Sequence, residues 1–260
     1  MGRTYLDEIV AAHRASVDER DWRARLDGPA YGGPSFAKAL RRPTVQVIAE
    51  VKRRSPSKGA LATDLDPASL ARAYVDGGAA AISVLTDEQF FGGTMADLRS
   101  VRAAVDRPVL RKDFTVSEND VLDARDADAA AVLLIVSVLS DESLRDFIAL
   151  AAHCGMAALV EVHDDREAER ALDAGAEIIG VNQRDLHTFE VDLERAVRVG
   201  SSLPDSVITV AESGLRSVPD VERIAAGGFD AVLVGETFVR SPTPAALVAE
   251  FSSVARISRV

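Results

Sequence analysis

The sequence has a single cysteine, Cys154, so it offers no partner for a disulfide bond and no second thiolate for a metal site. We interpret Cys154 as a buried structural thiol. No stretch approaches the ~18 consecutive apolar residues of a membrane-spanning helix. Charged residues run through the first 22 positions, which is unlike a secretory signal. These absences predict a cytoplasmic protein.

Lysine is also scarce, because only four of the 30 basic residues are lysine: Lys38, Lys52, Lys58 and Lys112. An arginine keeps its proton in a protein, whereas the amine of a lysine can be tuned to release it. A lysine at a candidate site therefore indicates a titrating group or a compact charge. The four histidines show no ligand spacing such as H-E-x-x-H, so we expect no metal. No cofactor is expected either.

Basic residues are outnumbered, since 30 Lys and Arg stand against 41 Asp and Glu for a formal net charge of −11. This balance argues against nucleic acid or an anionic membrane as a partner. Residues 41–59 depart from it, because six basic residues there accompany only one acidic residue, Glu50. Such a run is either an ordinary solvated face or a field that attracts a small anion.

Short runs rich in β-branched residues or leucine recur eight times along the chain. They span residues 45–52, 80–86, 109–114, 131–136, 157–162, 177–182, 207–213 and 231–236. The amphipathic segments between them often open on Asp or Ser and end on Gly, as helix caps do. Apolar strands alternating with helices indicate a parallel sheet covered by helices.

Eight such units predict an α/β fold of the (β/α)8 barrel type. We expect residues 1–260 to form one domain, in which residues 1–44 are an N-terminal extension ahead of the first strand. That extension contains a helical pattern near residues 5–20.

Polar residues at the carboxyl ends of the predicted strands are candidates for catalysis, because (β/α)8 enzymes build their active sites at that end. One reading is that these charges merely form ion pairs that close the barrel. Their crowding favours chemistry instead, because charged groups in a low-dielectric site cost free energy. The rule selects Glu50, Lys52, Lys112, Glu161, Asn182 and Glu212.

The loops after the seventh and eighth strands read "ESGL" (212–215) and "GETF" (235–238). Barrels frequently hold phosphate in these two loops, where exposed backbone N–H groups meet the anion. Gly214 and Gly235 permit close approach of the backbone, and Ser213 offers a hydroxyl. The two loops together predict a phosphate site.

Taken together, these motifs resemble the indole-3-glycerol phosphate synthase family over nearly the whole chain. The matching segments are "VIAEVKRRSPSKG", "TDEQFFGGTMADL", "PVLRKDF", "ALVEVH", "IGVNQRDL", "VAESGL" and "VLVGE". The resemblance implies a lyase of tryptophan biosynthesis. Its substrate would be 1-(2-carboxyphenylamino)-1-deoxyribulose 5-phosphate, a small anion carrying phosphate and carboxylate, which is cyclised with loss of CO2 and water.

The resemblance also implies roles for individual residues. Lys112 matches the general acid, and Glu161 matches an acid-base residue with Lys52 beside it; the division of acid roles between the two lysines stays open. Glu50 matches a positioning glutamate, and Asn182 and Glu212 match polar contacts to the sugar and the lysines. Substrate-binding positions match at Ser55, Phe114, Arg184, Ser213, Gly214, Gly235 and the backbone of Glu236.

The chain departs from the family pattern at Gln183, at Asn119 with Asp120, and at Asp126. The last three lie on the third helix and its end, away from the expected chemistry, so they concern helix packing. Two alternatives remain open: phosphoribosylanthranilate isomerase or a related sugar-phosphate isomerase, and a non-catalytic phosphate-binding barrel. We expect a monomer.

Overall fold

The computed structural model describes residues 4–55, 59–184 and 191–259, so Lys58 and His187 lie outside the described residues. Eight parallel strands close into a barrel, in which the first strand pairs with both the second and the last. The predicted (β/α)8 fold is confirmed. The barrel strands are β1 (Gln46–Val51), β2 (Ala81–Leu85), β3 (Val109–Lys112), β4 (Ala131–Ile135), β5 (Ala157–Val162), β6 (Ile178–Asn182), β7 (Ile208–Glu212) and β8 (Ala231–Val234).

The strands form where the apolar runs predicted them, because a parallel barrel buries both faces of each strand. Strands β2, β4, β6, β7 and β8 are buried along their whole length. The third and eighth predicted runs extend beyond the observed strands at their carboxyl ends. Residues such as Asp113, Phe114 and Gly235 leave the sheet there and form the mouth of the barrel.

Helices cover the barrel, two of them ahead of the first strand and the others between or after the strands. They are α1 (Tyr5–Ala15), α2 (Phe36–Leu40), α3 (Pro67–Asp76), α4 (Glu88–Phe91), α5 (Met95–Ala104), α6 (Glu118–Asp126), α7 (Asp141–His153), α8 (Asp165–Asp173), α9 (Leu193–Ser202), α10 (Val218–Ala226), α11 (Glu236–Val239) and α12 (Pro244–Ser252), with a 3-10 helix at Trp22–Arg25. Capping side chains set many of the starts; Ser117, for example, forms a reciprocal capping box with Asp120. Within the described ranges, no helix has the length and apolarity needed to cross a bilayer.

The helix predicted near residues 5–20 ends earlier, at Ala15. The cause is a tertiary contact with α6. The amide of Asn119 donates to the carbonyl oxygens of Asp18 at 3.0 Å and Arg20 at 2.8 Å, so this stretch is held against α6 in a non-helical form.

Two of the positions where α6 departs from the family pattern, Asn119 and Asp126, dock the extension. Arg25 donates to Asn119 Oδ1 at 2.6 Å and to Asp126 Oδ2 at 2.7 Å. Burial would raise the pKa of the Asp126 carboxyl, but hydrogen bonds from Arg25 and Arg125 outweigh it and lower that pKa. Asn119 and Asp126 therefore join the extension to the barrel.

The second half of the extension is part of the core. Phe36 and Leu40 are fully buried, and the Tyr31 N–H donates to the Cys154 carbonyl oxygen at 2.7 Å. The thiol of Cys154 is buried too, and its burial raises its pKa, as suits the predicted structural role.

The amino ends of the strands are closed by the C-terminal segment. Arg259 donates to Thr209 Oγ1 at 2.6 Å and to the carbonyl oxygens of Val207 at 2.7 Å and Gly228 at 3.1 Å. Asp230 lies beside it and accepts from the Thr209 N–H at 2.9 Å, while Arg256 Nε is 2.7 Å from its other carboxylate oxygen. This end of the barrel is closed by paired polar and charged groups.

Candidate active site

A cavity of about 390 Å³ opens at the carboxyl ends of the strands. Side chains alternate between the two faces of a strand, so the last inward residue of each strand points into this mouth. The cavity is lined by every site residue that the sequence predicted: Glu50, Lys52, Ser55, Lys112, Phe114, Glu161, Asn182, Arg184, Glu212, Ser213, Gly214, Gly235 and Glu236.

Lys112 is the charged centre of the cavity floor. Its Nζ lies 3.4 Å from Glu161 Oε2 and 3.4 Å from Glu212 Oε2. Burial alone would lower the pKa of Lys112, but the carboxylates of Glu212, Glu161 and Glu50 outweigh burial and raise it. The amine is therefore held as a cation between two buried carboxyl groups.

Glu161 and Glu212 have opposite protonation tendencies although they share this lysine. Burial would raise the pKa of Glu161, but Lys112 and His163, together with a 3.1 Å hydrogen bond from Asn182 Nδ2, lower it. Burial raises the pKa of Glu212 to about 8, and repulsion from Glu161 adds to the rise. The surroundings thus favour the ionised form of Glu161 and the protonated form of Glu212. Two carboxyl groups with separated pKa values are what acid-base catalysis needs.

Glu50 and Lys52 form a second charge pair at the end of β1, with Lys52 Nζ 2.5 Å from Glu50 Oε1. The loop after β8 passes close to this pair. A Cβ at Gly235 would lie 3.0 Å from Lys52 Nζ and would collide with Glu50 Oε1. Glycine at this position therefore lets the backbone of the predicted phosphate loop approach the charged pair.

The two predicted phosphate loops lie side by side. The Thr237 hydroxyl, after β8, donates to the Leu215 carbonyl oxygen, after β7, at 2.7 Å. Ser213 and Gly214 both have left-handed backbones, with φ of 71° and 77°. A non-glycine residue in this region costs ~1 kcal/mol or more and occurs preferentially at functional sites. The strained turn directs the loop into the cavity.

An aromatic cluster lines the cavity and includes residues of the extension. Phe114 lies 5.4 Å from the His13 ring and 6.3 Å from the Phe91 ring, centroid to centroid. Tyr5 and Ile9 of α1 also line the cavity. The extension therefore forms part of the site itself.

Sequence reasoning missed Asp87 and Asp113, which line the cavity, and His13, which contacts both. His13 Nε2 is 2.8 Å from Asp87 Oδ2. Burial would lower the pKa of His13, but the hydrogen bond with Asp87 and the nearby Asp113 raise it. The strand-end rule could have found Asp113, which follows Lys112 directly, and Asp87, which lies just past β2. His13 gave no signal, because the sequence does not reveal where the extension docks.

His13, Asp87 and Asp113 bring one ligand atom each to within 4.8 Å of one another. All three are already engaged with protein partners, since Asp87 also caps α4 and Asp113 accepts a hydrogen bond from Arg111 at 3.1 Å. We interpret them as an electrostatic contact that fastens α1 to the mouth of the barrel.

The basic run 41–59 does not form one patch. Arg41 donates to the Ser206 carbonyl oxygen, near the amino end of β7, at 2.5 Å. Arg53 forms a bidentate ion pair with Asp97. Of the run's described cations, Lys52 is the one that lines the cavity. Further positive charge there comes from Lys112, Arg184, Arg216 and Arg240.

A (β/α)8 barrel with paired lysines and carboxylates of separated pKa around one cavity defines an acid-base enzyme. The comparisons with known proteins narrow this class. The family model for indole-3-glycerol phosphate synthase matches residues 6–251, and the chain belongs to that family.

Curated relatives agree over nearly their whole length. The indole-3-glycerol phosphate synthase of Parafrankia sp. is 54% identical over 251 residues, which cover 94% of each chain. That of Mycobacterium avium is 50% identical over 253 residues, covering 95% of this chain and 93% of the relative.

Solved structures with low sequence identity share the fold alone. The N-acetylmannosamine-6-phosphate 2-epimerase from Clostridium perfringens superimposes with a TM-score of 0.62 at 12% identity, covering 81% of this chain and 93% of that one. Thiamine phosphate pyrophosphorylase from Pyrococcus furiosus gives 0.61 at 17% identity, covering 82% and 95%.

Proposed function

We propose that the mouth of this barrel converts 1-(2-carboxyphenylamino)-1-deoxyribulose 5-phosphate into indole-3-glycerol phosphate, with loss of CO2 and water. The family and its curated relatives establish the activity as that of a decarboxylating, ring-closing lyase. The observation that best supports the residue assignment is the buried Lys112 cation, 3.4 Å from both Glu161 and Glu212 on the cavity floor.

Ring closure needs an acid at the ketone on the second sugar carbon. We assign this role to Lys112, which can donate a proton to the ketone oxygen as the aromatic carbon bearing the carboxylate attacks. The new carbon–carbon bond interrupts aromaticity. The carboxylate then leaves as CO2, and the electron pair of the broken bond returns to the ring.

Dehydration needs a base for the ring proton and an acid for the departing hydroxyl. Glu161 suits the base, because Lys112, His163 and Asn182 favour its ionised form. Lys52 suits the acid, since its amine lies in the same cavity and is oriented by Glu50 at 2.5 Å. The protonated Glu212 can donate a hydrogen bond to a sugar hydroxyl, as can the Asn182 amide.

Three further features would bind the substrate. Ser55, Ser213, Gly214, Gly235 and the backbone of Glu236 would hold the phosphate. The Arg184 guanidinium would pair with the carboxylate, and Phe114 would pack against the aromatic ring. Contacts to the phosphate, the carboxylate and the aromatic ring would orient the reacting atoms toward Lys112, which lines the same cavity.

The direct test is to add the carboxyphenylamino deoxyribulose phosphate to the purified chain and follow indole absorbance and CO2 release. We expect both to appear together. The isomerase alternative predicts neither, and it predicts turnover of phosphoribosylanthranilate instead. A non-catalytic barrel predicts product binding by calorimetry without turnover. The family match favours neither alternative.

A further inference from the structure

His163, the first residue after β5, lies between two carboxylates. Its Nδ1 is 3.0 Å from Glu167 Oε2, and the same oxygen accepts the His163 N–H at 2.8 Å. Its Nε2 faces Glu161 Oε1 at 3.6 Å. This Nε2 atom is buried and has no hydrogen-bond partner among the described residues. The imidazole thus joins the surface helix α8 to the carboxylate on the cavity floor.

The groups facing His163 are mainly anionic. Burial would lower the pKa of His163, but the Glu167 hydrogen bond raises it, and the carboxyls of Glu161 and Glu212 add to the rise. Glu167 belongs to α8, Glu161 to β5 and Glu212 to β7. The nearest other cation at Glu161 is Lys112 of β3, on the opposite carboxylate oxygen.

We propose that His163 is a positioning residue that keeps Glu161 ionised and correctly oriented as the base, with Glu167 fixing the imidazole. This inference rests on the proposed function, because it concerns the group that we assign as the base of the dehydration. An imidazolium within 4 Å favours the carboxylate over the carboxylic acid. The same charge favours release of the proton from Glu161 after Glu161 has accepted it.

Substitution of either partner should change the pH dependence of the reaction. We expect His163→Gln to move the acidic limb of kcat/KM upward by about one pH unit, the lower end of the effect of a nearby opposite charge on a carboxyl group. Glu167→Gln keeps the imidazole but removes the carboxylate that favours its protonated form. We expect it to move the limb in the same direction by less.

Glu169→Gln is the matched control, because Glu169 is an exposed carboxylate of the same helix. Its pH profile should coincide with that of the wild type. A lower plateau in His163→Gln with an unmoved acidic limb would mean a merely structural residue and would overturn the proposal. Circular dichroism confirms folding, and if His163→Gln fails to fold, Glu167→Gln decides the question.

A second measurement is independent of turnover. Side-chain ¹⁵N resonances of histidine are titrated by NMR, with the His163 signal assigned by its loss in His163→Gln. The imidazole pKa should fall in both Glu167→Gln and Glu161→Gln. A His163 pKa that is unchanged in Glu161→Gln would refute the contact between His163 and Glu161. A wild type that makes no indole would instead refute the proposed function while leaving this titration valid.

Discussion

The two ends of the barrel both bury charged groups, but these groups differ in the partners that the protein supplies to them. At the amino end, Asp230 accepts hydrogen bonds from the Thr209 N–H and hydroxyl and contacts Arg256 and Arg259. At the carboxyl end, Glu212 Oε1 is buried and has no hydrogen-bond partner among the described residues. Lys112 there lies 3.4 Å from each neighbouring carboxylate.

The difference separates stabilisation from chemistry. A buried charge costs free energy unless partners compensate it, and at the amino end the protein itself supplies those partners. At the mouth, some buried charged groups lack a full set of protein partners. Their pKa values are therefore shifted, and their polar atoms are available to a substrate. Substitutions at the mouth should therefore reduce activity, whereas substitutions at the amino end should reduce the free energy of unfolding.

The largest effect is expected at Lys112. Lys112→Arg keeps a positive charge, but guanidinium is too weak an acid and too wide to replace the amine. We expect kcat to fall by at least ~10²-fold, the lower end of what positioned acid-base catalysis supplies. Product affinity should change less, because the proposed phosphate and aromatic contacts lie elsewhere. The measurements are kcat and product Kd for wild type, Lys112→Arg and Lys112→Met. Turnover within a few-fold of wild type would make Lys112 only a charge and Lys52 the leading acid.

The converse effect is expected at the amino end. Asp230→Asn leaves Arg256 without its carboxylate and Arg259 with only the exposed Asp205. Removing one partner of a buried ion pair costs ~3 kcal/mol or more of unfolding free energy. Activity at 25 °C should stay close to wild type, since the change is remote from the cavity. Asp205→Asn is the control, because this exposed partner of Arg259 should contribute less than ~1 kcal/mol. Urea unfolding measures the stability of both variants. A large loss of kcat in folded Asp230→Asn would contradict the separation between a stabilising amino end and a catalytic mouth.

A smaller effect is expected in the phosphate loop. Gly214→Asp brings a carboxylate toward the bound phosphate, so substrate affinity should fall by ~2 kcal/mol, or about 30-fold. Gly214→Ala is the control, because it imposes the same backbone strain at φ 77° and the same crowding against Val191 without the charge. The measurement is KM for both. Equal KM values in folded variants would remove Gly214 from the phosphate site.

The most gradual effect, at most ~1.4 kcal/mol for each pH unit, concerns Glu212 and the pH dependence of stability. Its pKa rises from the ordinary 4.5 to about 8 on folding, so the folded state binds the extra proton between these values. Stability from this group is therefore complete below about pH 4.5 and declines up to about pH 8, by at most ~1.4 kcal/mol per pH unit. Glu212→Gln removes that decline, so its stability relative to wild type should increase from pH 5 to 8. Urea unfolding across this range checks it; a constant difference would mean that Glu212 is ionised throughout.

Local features of the chain determined much of this outcome. The eight apolar runs predicted the strands because a doubly buried parallel strand requires continuous apolar residues. Glu161 and Asn182 could be chosen as site residues because strand ends converge on one mouth in this fold. The rarity of lysine marked Lys52 and Lys112 before any contact was known.

What the sequence could not decide depends on groups that are distant along the chain. His13 and Asp87 are 74 residues apart, and only the docking of the extension brings them within 2.8 Å. Asp18 and Arg20 leave the helical conformation because Asn119 binds their carbonyl oxygens.

The protonation states belong to the same category. The strand-end rule by itself did not distinguish Glu161 from Glu212. Burial and the arrangement of neighbouring charges separated their pKa values in opposite directions. The sequence thus determined the barrel and the set of residues at its mouth, whereas the tertiary structure alone decided which carboxyl keeps its proton, because desolvation and Coulomb interactions depend on three-dimensional distance.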